Sequence, residues 1–175
     1  MNLKMNTLTY TDAKLDDLSQ IVHIYNSTIA SRMVTADTEP VTVESRVHWF
    51  HQHSAGKRPL WLVKNEEDKI IGWVSFGDFY GRPAYDATAE ISIYLDPAVR
   101  GNGYGRKVLE YCISKAPSLG IHTLLGFIFS HNTPSLKLFN HLGFEQWALL
   151  PDIAVLDGTE RSLLIVGKRV ASQSV

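Results

Sequence analysis

EISIYLDPAVRGNGYGRKV, residues 90–108, runs from β-branched and aromatic residues through an Asp-Pro stop into a glycine-rich turn that opens a helix. The run 89–95 predicts a strand ending at Asp96-Pro97. Beyond the turn, Val108, Leu109, Cys112 and Ile113 form an apolar helical face, which Pro117 and Gly120 close. Such a turn suits a phosphate. Glycine lets a ligand approach the backbone, first-turn N–H groups lack intrahelical partners, and the helix dipole places about half a positive charge there. Arg100 and Arg106 add charge to the cradle. The alternative reading is a glycine turn with a purely structural role. The stretch is not a P-loop, since no Gly-x-x-x-x-Gly-Lys-[Ser/Thr] occurs, and Arg106 takes the place of the third glycine of a dinucleotide fingerprint.

Outward from this segment the elements alternate. Upstream, a strand is predicted over 8–11, followed by a helix carrying Leu15, Leu18, Ile21, Val22 and Tyr25 and a second helix over 43–53. Strands over 60–63 and 70–76 make a hairpin, and 78–86 reads as a loop. Downstream come a strand over 123–129, a helix over 134–142 ended by Gly143, and strands over 144–150 and 162–166 separated by Asp157-Gly158. The order predicts an α+β domain: a mixed central sheet of about six to seven strands flanked by about four helices. One domain over 1–170 with a loose tail over 171–175 is expected.

Lys and Arg total 17 against 18 Asp and Glu, a net charge of -1, so no global field recruits nucleic acid or an anionic membrane. Cys112 is the one cysteine, which rules out an intrachain disulfide and a Cys-rich zinc site and fits a reducing compartment. No secretory signal or spanning segment is read, so a cytoplasmic protein is expected. His48, His51 and His53 read as surface residues rather than metal ligands, and no metal is expected.

Arg100-Gly101-Asn102-Gly103-Tyr104-Gly105 resembles the Arg/Gln-x-x-Gly-x-Gly/Ala cofactor motif of the GNAT acetyltransferase superfamily. The likeness extends from Ile24-Tyr25-Asn26 through Trp49-Phe50, Thr88-Ala89-Glu90 and Asn132 to Leu142-Gly143-Phe144, and within the superfamily it looks like the phosphinothricin and methionine sulfoximine branch. The resemblance implies acetyl-CoA as co-substrate and a small-molecule amine as acceptor. Ile93, Tyr94 and Leu95 would pair with the pantetheine arm, Gly101 to Arg106 would hold the pyrophosphate, and Asn132 would contact the cofactor, with Ser135 assisting. Asn132 reads equally as a helix cap. A homodimer is implied in the same way.

Acetyl transfer to an amine needs a neutral nitrogen, an oxyanion stabiliser and a proton for the thiolate. Glu90 is the candidate base, the alternative being a carboxylate that binds an ammonium or pairs with an arginine. The oxyanion donor is expected from a bulge in the cofactor strand, with Ile93 the candidate. Phe139 stands seven residues after Asn132, where a tyrosine is common in the superfamily, and Tyr94 and Tyr104 are the other possible donors. Phe79, Tyr80 and Arg82 of the 78–86 loop, together with Glu90 and Ser92, are the expected acceptor contacts. The preferred acceptor is a small amino acid or analogue. A peptide or protein amine, and a non-catalytic acyl-CoA sensor, are the rivals.

Overall fold

The computed structural model describes residues 7–171. Its strands are β1 (Thr9–Asp12), β2 (Leu60–Lys64), β3 (Ile70–Asp78), β4 (Thr88–Leu95), β5 (Thr123–Phe129), β6 (Glu145–Leu156) and β7 (Thr159–Arg169). Its helices are α1 (Leu18–Ile29), α2 (Val43–His51), α3 (Tyr104–Lys115) and α4 (Thr133–His141). The strands form one sheet in the order β1-β2-β3-β4-β5-β7-β6, in which β4 and β5 are parallel and the other neighbours antiparallel. The expected α+β architecture is what forms; the expected tail beyond Ala171 lies outside the described residues.

The core has two parts because strand side chains alternate between faces. Val74, Phe76, Ala89 and Ile91 pack with Val108, Leu109 and Cys112 of α3 and Phe139 of α4. Leu60, Leu62 and Trp73 pack with Leu18, Ile21, Val22 and Ile24 of α1. Cys112 is wholly buried, and burial raises its thiol far above the usual range, so it is an inert core residue as the sequence suggested.

Three boundaries differ from expectation. α2 stops at His51, and the chain turns through the Ser54–Arg58 bridge, with His53 Nδ1 3.0 Å from Trp49 O. β6 and β7 are far longer than predicted. Pro151-Asp152 reads as a strand end, but β6 is an edge strand and accommodates them in a bulge between Leu150 and Ala154, where Asp152 adopts φ 49°. Ser162 Oγ secures the bulge, accepting from Asp152 N at 3.0 Å. At the tip, Asp157 and Gly158 have φ of 49° and 77°, as a tight two-residue hairpin turn requires.

Candidate active site

The decisive feature is where the two parallel strands part. β4 and β5 pair only from Thr88↔Thr123 to Glu90↔Leu125. Beyond that point β4 stays with β3 as far as Leu95, and β5 stays with β7 as far as Phe129. Each strand keeps its outer partner and loses its inner one, so the inner edges present unpaired backbone N–H and C=O groups to a wedge-shaped crevice. A chain of amides entering there meets matching donors and acceptors. Met33 and Val34 flank the crevice, Gly126 and Phe139 line its far wall, and Ser92 and Tyr94 lie on its near side. Phe139 is buried, and a Cβ on Gly126 would stand 2.8 Å from its ring, so Phe139 is a packing residue with no proton to give.

The crevice opens into a groove of about 490 Å3 that runs past Leu95 and Val99 to Arg100, Gly101, Gly103, Tyr104, Gly105 and Arg106. Gly101 and Gly103 adopt φ of 82° and 74°, and a Cβ on either would meet no atom within 4 Å. Gly103 caps α3 with no side chain, leaving first-turn N–H groups free for an anion. Asn102 turns inward, its Nδ2 donating to Val99 O at 3.0 Å, so its side chain shapes the turn. Arg106 lines the groove and pairs with Glu110 at 2.8 Å. An unpaired strand edge, an open glycine turn and two arginines fit a pantetheine–pyrophosphate chain.

Asn132 performs the capping role: its Oδ1 accepts from Ser135 N at 3.3 Å, while Nδ2 donates to Met33 O at 3.0 Å. It also lines both groove and crevice, as does Ser135. His131 Nε2–H donates to Arg32 O at 2.8 Å, which fixes the tautomer and gives this residue a structural task. Together these two side chains hold the segment after α1 beside the crevice.

The expected bulge in the cofactor strand is not there. β3 and β4 pair in unbroken register from Gly72↔Leu95 to Asp78↔Ala89. It is the parting from β5, rather than a bulge, that frees β4 backbone groups such as that of Ile93.

Strand alternation puts Glu90, Ser92 and Tyr94 on the α1–α2 face, with Ile91, Ile93 and Leu95 on the α3 face. Burial raises the Glu90 carboxyl above the ordinary carboxylate value, and among the described residues no arginine or lysine pairs with it. A carboxylate deprived of water and of a counter-charge is a stronger proton acceptor than a free one. Gly77 sits directly opposite Glu90, and a Cβ there would meet nothing within 4 Å, so open space adjoins the carboxyl. Gly77→Val is expected to keep the fold, since β-branched residues suit a strand, yet lower kcat/KM for amines by about tenfold or more by filling that space. Unchanged kinetics in a folded variant would place the acceptor elsewhere.

The acceptor loop is less integrated than the sequence suggested. Phe79, Tyr80 and Tyr85 pack on one another, with Phe79–Tyr80 ring centroids 4.7 Å apart, while Tyr80 is 78% exposed and Arg82 is exposed. None of the three expected loop contacts lines the crevice, the groove or the pocket described below. The base of the loop is firmly held by Arg58, whose side chain is 5% exposed. Its Nη2 donates to Asp86 O at 2.7 Å and Thr88 O at 3.4 Å, and its Nε makes a 2.6 Å ion contact, off the N–H axis, with Asp78.

Sequence reasoning named Ser92 as an acceptor contact and Tyr94 as a cofactor contact but missed the other residues across β4 from the crevice. Tyr25, Arg46, Trp49 and Trp73 line a pocket there together with Ser75 and Ser92. Their only sequence signal was the likeness around Tyr25 and Trp49, which assigns no task.

Residues 21–144 match the model of the "Acetyltransferase (GNAT) family". The chain belongs to this family. It is 52% identical to "Putative phosphinothricin acetyltransferase YwnH" of Bacillus subtilis, covering 94% of this chain and 100% of that one. It is 31% identical to the L-methionine sulfoximine/L-methionine sulfone acetyltransferase of Salmonella typhimurium, covering 86% and 88%. The crystal structure of a GNAT superfamily phosphinothricin acetyltransferase from Sinorhizobium meliloti in complex with acetyl-CoA superposes with a TM-score of 0.86 at 26% identity, covering 93% and 88%. This GNAT chain is thus an acetyltransferase, and its wedge between β4 and β5 is the feature to explain.

Proposed function

We propose that this GNAT enzyme moves an acetyl group from acetyl-CoA directly to the primary amine of a small amino acid or analogue, of the methionine sulfoximine or phosphinothricin kind. The observation that carries the reading is the parting of β4 from β5 directly after Glu90: it brings a crevice edged by unpaired backbone groups and a buried carboxyl to the same point of the sheet. Acetyl-CoA supplies the activated acyl carbon when bound. Gly101, Gly103, Arg100 and Arg106 hold its phosphates, and the inner edge of β4 at Ile93, Tyr94 and Leu95 aligns its amide arm.

About one in seven α-amines is neutral at pH 7, so the acceptor arrives mostly as an ammonium. Glu90 takes its proton, directly or through one water, on the face where Gly77 leaves room. An unpaired N–H of β4, with Ile93 the candidate, donates to the acyl oxygen as charge gathers there. The leaving sulfur takes its proton from water: Phe139 carries none, burial raises the Tyr94 hydroxyl away from acidity, and Tyr104 lies in the glycine turn at the phosphate end of the groove. Holding both reactants in line supplies much of the acceleration without an acyl-enzyme.

The relatives named above support the acceptor class. The same reading carries a cytoplasmic homodimer, for which exposed Trp147, Leu149, Ile153 and Val155 on edge strand β6 offer a contact. Free-thiol release from acetyl-CoA across methionine sulfoximine, phosphinothricin, amino acids, polyamines and peptides tests the function. Turnover with amino-acid analogues is expected. Cofactor binding without turnover on any amine would replace this reading with an acyl-CoA sensor.

A further inference from the structure

Across β4 from the crevice lies a pocket of about 150 Å3, walled by Tyr25, Trp49, Trp73 and Tyr94 and floored by Ser75 and Ser92. A cavity of about this volume holds a benzene molecule, so the pocket suits one short side chain. The walls brace one another: Tyr94 stacks on Trp73 at 4.5 Å, and Trp49 meets Trp73 edge-on at 5.5 Å. Trp73 is fixed in turn by its Nε1–H, which donates to Ile21 O at 3.1 Å.

Arg46, from α2, brings a cation to this aromatic pocket. Its guanidinium lies 5.0 Å from the Tyr25 ring centroid, and Nη2 donates to Asp37 Oδ2 at 2.7 Å. The same Asp37 oxygen accepts from the Tyr25 hydroxyl, which also bonds to Thr35. The Asp37 contact occupies one of five guanidinium N–H groups, leaving the planar fork able to donate into the pocket. Because Asp37 offsets much of the positive charge, the fork suits strong oxygen acceptors whether they are neutral or anionic.

The pocket's position relative to Glu90 sets the length of what it holds. Ser92 follows Glu90 on the same strand face, about 6.6 Å along β4. An amine at Glu90 therefore reaches the pocket through a side chain of three or four atoms. We infer that this pocket takes the acceptor's side chain, and that Arg46 is a specificity-determining residue that binds oxygens on a tetrahedral sulfur or phosphorus at its tip. The inference rests on the amino-acid reading proposed above. Exposed Arg82 is then no determinant of this preference.

L-Methionine and L-methionine sulfone differ only in two tip oxygens, so the ratio of their kcat/KM values reads the contact directly. The unmodified enzyme is expected to favour the sulfone by about tenfold to a hundredfold, the scale of hydrogen bonds to a charged group. In Arg46→Gln the ratio falls towards one, and in Arg46→Lys, which keeps the charge but not the fork, it is intermediate. Equal loss on both acceptors with the ratio retained would show that Arg46 only holds the segment after α1, and would overturn the inference. Should Arg46→Gln fail to fold, Arg46→Lys and the unmodified enzyme still decide: an unmodified ratio near one overturns it. An unmodified enzyme that turns over peptide amines and neither amino acid overturns the acceptor reading and this inference together. One that acetylates both amino acids equally overturns only the role of Arg46.

Discussion

Glu90→Gln is expected to lower kcat/KM for amine acetylation by about 10²- to 10⁴-fold, the range of a positioned general base, while making the folded protein more stable at neutral pH. The two effects share one cause. Burial raises the carboxyl of Glu90, so the folded protein binds its proton more tightly than the unfolded chain does. Folded protein then carries more protons across the window between the two values, and stability falls as pH rises through that window. The neutral amide is spared this loss. The gain in the variant should therefore grow as pH rises through that window and vanish in acid below about 4.3, the usual glutamate value, where both states of the native chain are protonated. Thermal unfolding of both proteins across pH, beside their kinetics, tests this. A variant less stable at pH 7 would mean that the ionised carboxylate is stabilised in the fold. In the unmodified enzyme, kcat/KM should rise with pH through a value above the ordinary carboxylate range.

Arg58→Ala is the second large effect. Asp86 O and Thr88 O lose their donor, and Asp78 loses its ion partner, at the base of the loop that leads into β4. Asp78 is half-exposed and keeps water, so most of the cost falls on the two carbonyls. About 2–5 kcal/mol of stability should go, because a charged side chain only 5% exposed and its bonds to two carbonyls are lost together. For a chain of this size that lowers the unfolding temperature by roughly 10 °C. Thr88 begins the strand that carries Glu90, so kcat should fall in the folded fraction as well. An unchanged melting curve would show that the loop base is held by other contacts, such as Lys57 to Asp86 at 2.6 Å.

The strand–turn–helix of residues 90–108 was legible because each of its signals is local: Asp-Pro stops a strand, and glycines at positive φ open a helix. The long β6–β7 hairpin was not, since Pro151 ends a strand by local rules and persists only where a neighbour absorbs it in an edge bulge. Of the two roles read for Asn132, the capping bond forms, and the same residue lines the groove. The 78–86 loop was less legible for a related reason. Phe79, Tyr80 and Arg82 carry chemistry suited to a ligand, but whether they face one depends on where the loop swings.

By itself the sequence determined the family, the order of elements, the glycine turn that opens α3 and the place of Glu90 on β4, because these rest on residues close together in the chain. Only the tertiary structure decided where β4 leaves β5, that Glu90 is buried opposite Gly77 with no basic partner among the described residues, and that Tyr25, Arg46 and Trp73 share one pocket. Those facts depend on strand register and on helices packed across a sheet, where partners far apart in sequence meet and no local propensity records the contact.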